Sequence, residues 1–340
     1  MPRRSLRDYC WRREYSDSRK IGHLRDLRGD DILSVDNRLG RAQDASLAFV
    51  SPTDVPHWQQ WLVFSPIARI VFFAALLIGI GALTRSGVAF LGWTGKAASP
   101  LQHAFAVLSL QLLPAVIAYL ILVRLIEQRH VRELAIRRLP GSGSAGLFIG
   151  VLLFSIVVGV LWLLGVYHVT AINTQVDWLP QLLVAGVGAG IGEEIIARGV
   201  LFRIAEEGRG TWFALAVSAL FFGAAHIFNP GATLWSSAAI AIEAGVMLGL
   251  LYHVTRSLWA CSGLHAGWNI MQGTFYGIPV SGAAVDGWLV SHRTGPAWLS
   301  GGTFGAEASV VALTVCSLLS LTLWLVARRR RSLVPFRRGR

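Results

Sequence analysis

Long apolar stretches alternate with short polar connections from about residue 61 to residue 328. Each stretch is close to the ~20 residues that an α-helix needs to cross the hydrocarbon core of a bilayer. The pattern therefore predicts an all-α, polytopic integral membrane protein. About eight transmembrane helices are expected, over residues 62–84, 104–126, 146–166, 181–202, 211–228, 237–254, 257–276 and 308–327.

Polar segments flank this membrane domain on both sides. Residues 1–60 are polar and basic and predict a cytoplasmic N-terminal extension, whereas residues 329–340 form a basic tail. No apolar segment of the kind found in signal peptides precedes Trp61, so we expect no cleavable secretory signal. The predicted organisation is therefore an extension over 1–60, a membrane domain over 61–328 and a tail over 329–340.

The composition agrees with a membrane protein. Of the 340 residues, 54% are hydrophobic and only 15% are charged, which is typical of integral membrane proteins rather than soluble enzymes. The formal net charge is +12, but the basic residues concentrate in the extension, the connections and the tail. They therefore predict contacts with the lipid bilayer and not with nucleic acid. The three cysteines form neither a disulfide framework nor a CxxC metal site.

The distribution of basic residues also predicts the orientation in the membrane. Arginines cluster after the second, fourth and sixth predicted helices and in the tail, at Arg129, Arg132, Arg137, Arg138, Arg203, Arg209, Arg256 and Arg328–Arg331. Segments 167–180 and 229–236 contain no Lys or Arg. Because positive charge favours the cytoplasmic side, we expect both termini in the cytoplasm, with the protein in the cytoplasmic membrane if it is bacterial.

The fourth predicted helix carries charges where hydrocarbon is expected. Glu193, Glu194 and Arg198 interrupt the apolar run 181–202, and each ionisable group at that depth costs at least about 2.5 kcal/mol. Glu194 and Arg198 are four residues apart and can pair on one helix face. Glu193 points about 100° away and is free to face a cavity. A purely structural ion-pair cluster is the alternative interpretation.

Further polar residues occur at the same depth in the fifth and seventh predicted helices. His226 follows Phe222 by one turn, and His265 and Asn269 are also one turn apart. Because each polar group is costly in lipid, we expect them to converge with the glutamates on one hydrated pocket within the motif core 181–275. Glu243 in the sixth predicted helix has no spacing that assigns it a role, so a structural or secondary role is expected.

These residue types suit the addition of water to an acyl group. A glutamate held between burial and a neighbouring arginine can accept a proton from water. A histidine can share that water, while a second histidine and an amide can donate to a developing oxyanion. Zinc bound by His226, His265 and a glutamate is an alternative. A non-catalytic membrane scaffold and a proton-coupled transporter are the other functions considered; transporters tend to contain inverted repeats, which we do not find.

Three short motifs occur in order along this part of the chain. They are EExxxR at Glu193–Arg198, FxxxH at Phe222–His226 and HxxxN at His265–Asn269. Together they resemble the CAAX protease and bacteriocin-processing family of intramembrane proteases, also called the Abi family, which is related to type II CAAX prenyl endopeptidases. The resemblance covers roughly residues 181–275. It implies eight helices around a cavity and an endopeptidase that acts on a membrane-associated or prenylated, CAAX-like protein or peptide.

The resemblance also implies roles for the motif residues. Glu193 is expected to be the general base, with His226 helping to activate the water. His265 and Asn269 are expected to form the oxyanion hole.

Glu194 is the fifth expected catalytic residue, and together with Arg198 it is expected to orient and support the site. Arg198 and Phe222 are the expected supporting residues. The family is described both as glutamate proteases and as metalloproteases, so a metal cofactor remains open; if zinc is bound, Glu193, His226 and His265 are the expected ligands. Bacterial relatives are linked to peptide maturation and bacteriocin immunity, and an immunity protein without catalysis is the remaining alternative.

Overall fold

The computed structural model describes residues 49, 51–52 and 54–336. Most of the predicted extension 1–60 and the last residues of the tail therefore lie outside the described residues. The compact unit Leu47–Arg340 is predominantly helical. Its main helices are α1 (Pro66–Phe90), α2 (Pro100–Ile126), α3 (Ile136–Leu163), α4 (Trp178–Arg209), α5 (Thr211–His226), α6 (Leu234–Thr255), α7 (Leu258–Asn269, continuing as Ile270–Phe275) and α8 (Val310–Arg329).

The predicted all-α, polytopic architecture is confirmed. Each predicted span coincides with one of the helices α1 to α8 to within several residues at most boundaries. In the described part of the chain, six of these helices are long and apolar enough to cross a membrane. Helix α5 is apolar but shorter, and α7 is not among the six. The count of eight membrane crossings therefore stays a prediction.

Local sequence signals explain where several helices begin. The side chain of Ser65 accepts a hydrogen bond from the backbone of Ala68, and proline follows at the first helical position of α1. Ser99 and Gln102 form a reciprocal capping box at the start of α2. Such caps satisfy backbone N–H groups that have no partner within the helix. They fix the helix starts independently of the membrane-spanning apolar runs.

Glycines allow α3 and α7 to approach each other closely. A Cβ atom on Gly150 would lie 2.1 Å from the carbonyl oxygen of Leu264, and one on Gly267 would lie 2.4 Å from that of Leu147. Small residues at such crossings let helix backbones pack directly in membranes. This contact fixes the position of α7, which carries His265 and Asn269.

Helix α4 also packs through glycines, on both of its neighbours. A Cβ atom on Gly190 would lie 3.0 Å from the carbonyl oxygen of Ser262 in α7, and one on Gly192 would lie 2.6 Å from that of Gln111 in α2. The segments before and after Ala189–Glu194 are wound as wider π-helix, a geometry that is frequent at functional sites. The glycines thus place the two glutamates of α4 at the centre of the helix packing.

A small β-sheet is a regular feature that the apolar pattern did not predict. Strand β1 (Tyr167–Ile172) pairs antiparallel with β2 (Leu289–Arg293). These strands come from the connections after α3 and after α7, and the Tyr167 hydroxyl donates to the backbone oxygen of Tyr276 at the end of α7. The sheet therefore ties two distant connections together at one end of the helices.

A buried ionic network joins α1, α2 and α4. Glu127, directly after α2, accepts hydrogen bonds from Arg69 at 2.7 Å, from Arg203 at 3.0 Å and from Arg129 at 2.8 Å. Burial alone would raise the pKa of Glu127, but the charges of Arg203 and Arg129 outweigh it and lower the pKa to about 2. The carboxylate is therefore ionised at neutral pH and holds three helix ends together.

Candidate active site

The carboxylate of Glu194 connects two helices. Its Oε1 accepts a hydrogen bond from Arg198 at 3.0 Å within α4 and lies 2.9 Å from Nδ1 of His265 in α7. Glu194 and Arg198 are fully buried. The ion pair that the spacing predicts is thus present, and its carboxylate also contacts the histidine of the third motif.

Arg198 extends this network to α5 and α6. One of its terminal nitrogens donates to the backbone oxygens of Ala244 and Gly245, and its guanidinium lies over the ring of Phe222 at 4.3 Å from the centroid. That ring in turn stacks on the imidazole of His226, with 5.8 Å between the centroids. The first two motifs are therefore linked through an arginine–aromatic–histidine stack. The ring of Phe222 lies between Arg198 and His226 in this stack.

The backbone of α5 fixes the proton position on His226. Nδ1 of the half-buried imidazole lies 2.9 Å from the carbonyl oxygen of Phe222. Because a carbonyl oxygen only accepts, Nδ1 must carry a proton. In the neutral imidazole the lone pair is then on Nε2, which is the atom that can accept a proton from water.

The third motif presents one imidazole and one amide on neighbouring turns of α7. His265 is held through Nδ1 by Glu194, so its Nε2 is left for another partner. The amide nitrogen of Asn269 donates to the backbone oxygen of Ala185 at 3.0 Å. An amide nitrogen has two N–H bonds, so this interhelical contact uses only one of them.

A small cavity of about 50 Å³ brings these groups together. His226, His265 and Asn269 line it, and they come from the second and third motifs. Much of the remaining wall is apolar and consists of Phe222, Ile240, Met247, Leu248, Leu264 and Trp268. A cavity with an apolar wall and a few convergent polar groups is the usual form of a binding or catalytic site.

The two glutamates of the first motif were expected to face the same pocket as the histidines and Asn269, but they do not line the cavity in the described structure. Within the described residues, neither Glu193 nor Glu194 lines the cavity; Glu194 lies behind His265 and contacts it. Glu193 is half-buried on the same helix. The structure therefore brings three of the five predicted catalytic side chains to the cavity wall, with the glutamates next to it on α4.

Two acidic residues that the motifs do not include also line the cavity. Glu243 comes from α6, and Glu307 comes from the short 3₁₀ helix Ala306–Ala308 before α8. Burial raises the pKa of Glu307, and the charge of His226 opposes this effect. Glu243 stands out in the sequence because it interrupts an apolar run, whereas Glu307 lies just outside the eighth apolar run. The only sequence signal for Glu307 in the site is its position as an acidic residue directly before that run.

The residues named for zinc do not form a three-ligand cluster. Among residues 49, 51–52 and 54–336, no three His, Cys, Asp or Glu side chains are arranged to hold a metal ion. Glu193, His226 and His265 are therefore not gathered into a metal-ligand set in the described structure, and metal dependence stays a prediction.

Comparison with known proteins agrees with the three motifs. Residues 175–271 match the family described as type II CAAX prenyl endopeptidase, Rce1-like. This segment contains the whole of α4, α5 and α6 and the motif-bearing part of α7. No curated protein matches the chain significantly, and neither does a solved structure. The resemblance drawn from the motifs is confirmed by this match.

Proposed function

We propose that the protein is an intramembrane endopeptidase, because residues 175–271 match the Rce1-like family of type II CAAX prenyl endopeptidases. It hydrolyses a peptide bond in a membrane-associated protein or peptide, with a prenylated, CAAX-like C-terminal segment as the expected substrate class. The observation that carries the proposal is the cavity lined by His226, His265 and Asn269 within the matched segment.

Water activation is assigned to Glu193 and His226. The hydrogen bond from Nδ1 of His226 to the Phe222 carbonyl leaves Nε2 as a proton acceptor. Glu193 lies on α4 directly before Glu194 and is half-buried, so part of the residue remains accessible. The water oxygen adds to the scissile carbonyl carbon, and its proton passes to this pair and then to the departing amine.

Stabilisation of the oxyanion in the tetrahedral intermediate is assigned to His265 and Asn269. Nε2 of a protonated His265 and the second N–H of Asn269 are both available as donors, since Nδ1 and the first N–H are already engaged. Glu194 balances the charge of the imidazolium and fixes its orientation. Donors aimed at a developing oxyanion are commonly the largest contribution of a site to hydrolysis.

Cleavage of a defined substrate tests this function. The purified protein is reconstituted into liposomes with a farnesylated CAAX-type reporter peptide that fluoresces when cleaved. We expect cleavage by the wild type, and loss of cleavage in Glu193→Gln and His226→Ala. Asp54→Asn and His103→Ala change exposed residues of the same types and should leave cleavage intact.

Three results would contradict the proposal. Absence of cleavage by the wild type across prenylated and unprenylated membrane peptides would favour a scaffold or immunity protein. Unchanged cleavage by Glu193→Gln would remove the assigned base. Stoichiometric zinc that is lost together with activity on chelation, and that restores activity when added back, would replace the direct activation of water by Glu193 and His226.

A further inference from the structure

The cavity contains two carboxyl groups that the proposed hydrolysis does not use. Glu243 on α6 and Glu307 before α8 line it together with His226. Their exposed fractions are only 4% and 3%. Buried carboxyl groups are retained at a cost unless they are paired or hydrogen-bonded, so their position in the wall of a cavity needs a physical reason.

Glu307 is fixed in place by its own surroundings. It accepts a hydrogen bond from the backbone N–H of Ser281. Ser281 adopts a left-handed backbone conformation, with φ of 48°, and its carbonyl oxygen accepts from Asn229. The connection after α7 is thus folded so that one N–H anchors the carboxylate of Glu307 at the cavity wall.

Glu243 lacks such partners. Its Oε1 is buried and has no hydrogen-bond partner in the part of the chain that the structure describes. An unsatisfied buried polar atom is expensive, and a donor that enters the cavity would satisfy it. Ile240, Met247 and Leu248 supply apolar surface in the wall of the same cavity.

We propose that Glu243 and Glu307 form an acidic subsite that binds the ammonium group of a substrate lysine side chain near the scissile bond. An ammonium group supplies three donors, enough to satisfy Oε1 of Glu243 and to contact Glu307. Its aliphatic stem matches the apolar wall, as lysine stems commonly pack on apolar surface. A substrate carboxylate in the same position is repelled. This inference rests on the proposed endopeptidase function.

A binding experiment tests the subsite without catalysis. Thermal unfolding of the purified wild-type protein in detergent is measured with n-butylammonium and with n-butanol, which differ only in the charged head. We expect butylammonium to raise the melting temperature more than butanol. Glu243→Gln should weaken butylammonium binding roughly 10–100-fold, the usual loss for a hydrogen bond to a charged group. Asp54→Asn should behave as the wild type.

Glu193→Gln separates the two proposals. That variant should lose cleavage of the farnesylated reporter and keep the butylammonium-specific stabilisation, since Glu193 does not line the cavity in the described structure. Equal stabilisation by butylammonium and butanol would overturn the acidic subsite, whether or not the reporter is cleaved. A butylammonium-specific shift in a wild type that cleaves no peptide would overturn the endopeptidase and, with it, the assignment to a substrate lysine. Only the binding of an ammonium group by the two carboxyl groups would then remain.

Substrate preference gives a second measurement, on reporters that carry lysine or norleucine at each position around the scissile bond. The wild type should prefer lysine at one position by roughly 10–100-fold in kcat/KM. Glu243→Gln should lose that preference while retaining cleavage of the norleucine reporter. Glu307→Gln should do the same provided that it folds, because Glu307 also anchors Ser281. A lysine preference that both variants keep would contradict the assignment.

Discussion

Arg198 is the side chain on which most of the motif geometry depends. It contacts Glu194, two carbonyl oxygens of α6 and the ring of Phe222 at once. Only a planar guanidinium can pair with a carboxylate, donate sideways and stack on an aromatic ring together. Arg198 therefore positions three helices relative to each other. We expect its removal to lower both the stability of the fold and the catalytic activity.

We predict that Arg198→Ala lowers folded yield and activity together. The substitution leaves the Glu194 carboxylate buried without its cation, which costs on the order of 3–5 kcal/mol. Yield after size-exclusion chromatography and the melting temperature in detergent measure this loss. Arg124→Ala changes an exposed arginine and should have little effect. Wild-type yield and activity in Arg198→Ala would show that the pair does not support the site.

Asn269→Ala is predicted to affect kcat far more than stability. The lost interhelical hydrogen bond to the Ala185 carbonyl is worth only about 0.6 kcal/mol on average in membranes. The loss of one oxyanion donor lowers kcat by roughly 10²–10³-fold. Steady-state cleavage of the reporter separates kcat from KM, with Asn173→Ala as control. A raised KM at unchanged kcat would assign Asn269 to substrate binding instead.

At the scale of the elements, the crossing of α3 and α7 decides where the third motif lies. Gly150 meets the backbone of Leu264, one residue before His265. No side chain can be added there without moving one of the two helices. The position of His265 thus depends on a residue that is remote from it in sequence.

Gly150→Ala should therefore destabilise the protein and reduce cleavage. Forced overpacking costs about 1–3 kcal/mol, which exceeds the up to ~1 kcal/mol that alanine gains over glycine within a helix. Gly159→Ala on the same helix is the matched control, since no heavy atom of the described structure lies within 4 Å of a Cβ placed there. Melting temperature and reporter cleavage are measured for both. Equal behaviour of the two variants would contradict direct backbone packing.

For the whole molecule, the ionic network around Glu127 makes stability depend on pH. The pKa of Glu127 in the folded state is about 2, against an ordinary value of 4.5. Because the folded value is depressed, the stabilisation is complete above the ordinary pKa and is lost as pH falls toward about 2. Glu133 follows the same direction: burial opposes the shift, but hydrogen bonding from Arg129 outweighs it and lowers its pKa.

We predict that the melting temperature of the wild type falls as the pH is lowered from about 4.5. Glu127→Gln should lower the melting temperature at neutral pH, because Arg69 and Arg203 remain buried without their shared carboxylate. It should also show a shallower acid slope, with the remainder coming from Glu133 and other buried carboxyl groups. Asp54→Asn should retain the wild-type slope. An identical slope in Glu127→Gln would mean that other carboxyl groups control the acid response.

Orientation in the membrane is the second prediction for the whole molecule. The arginine distribution predicts cytoplasmic termini and places β1 on the opposite side. Thr170→Cys in β1 should react with a membrane-impermeant maleimide in intact cells or right-side-out vesicles. Arg330→Cys after α8 should react only after permeabilisation; both positions are exposed. The reverse labelling pattern would invert the topology.

The sequence by itself determined which segments are helical and which residues form the motifs. Helix-length apolar runs and the spacings of Glu194 with Arg198 and of Phe222 with His226 are local properties. They depend only on the helical repeat and on the cost of polar groups in lipid. The i,i+4 spacing therefore predicted the Glu194–Arg198 pair. The three short motifs, which are also local, were enough to show the family resemblance.

Only the tertiary structure decided which side chains meet. The sharing of Glu194 with His265, the stacking of Arg198 on Phe222 and the entry of Glu307 into the cavity depend on helix rotation and crossing. These are set by close backbone contacts, as at Gly150, and not by any local repeat. The pairing of β1 with β2 joins segments over a hundred residues apart. Such pairing carries no periodic signal within either short strand, so it appears only when the helices are packed.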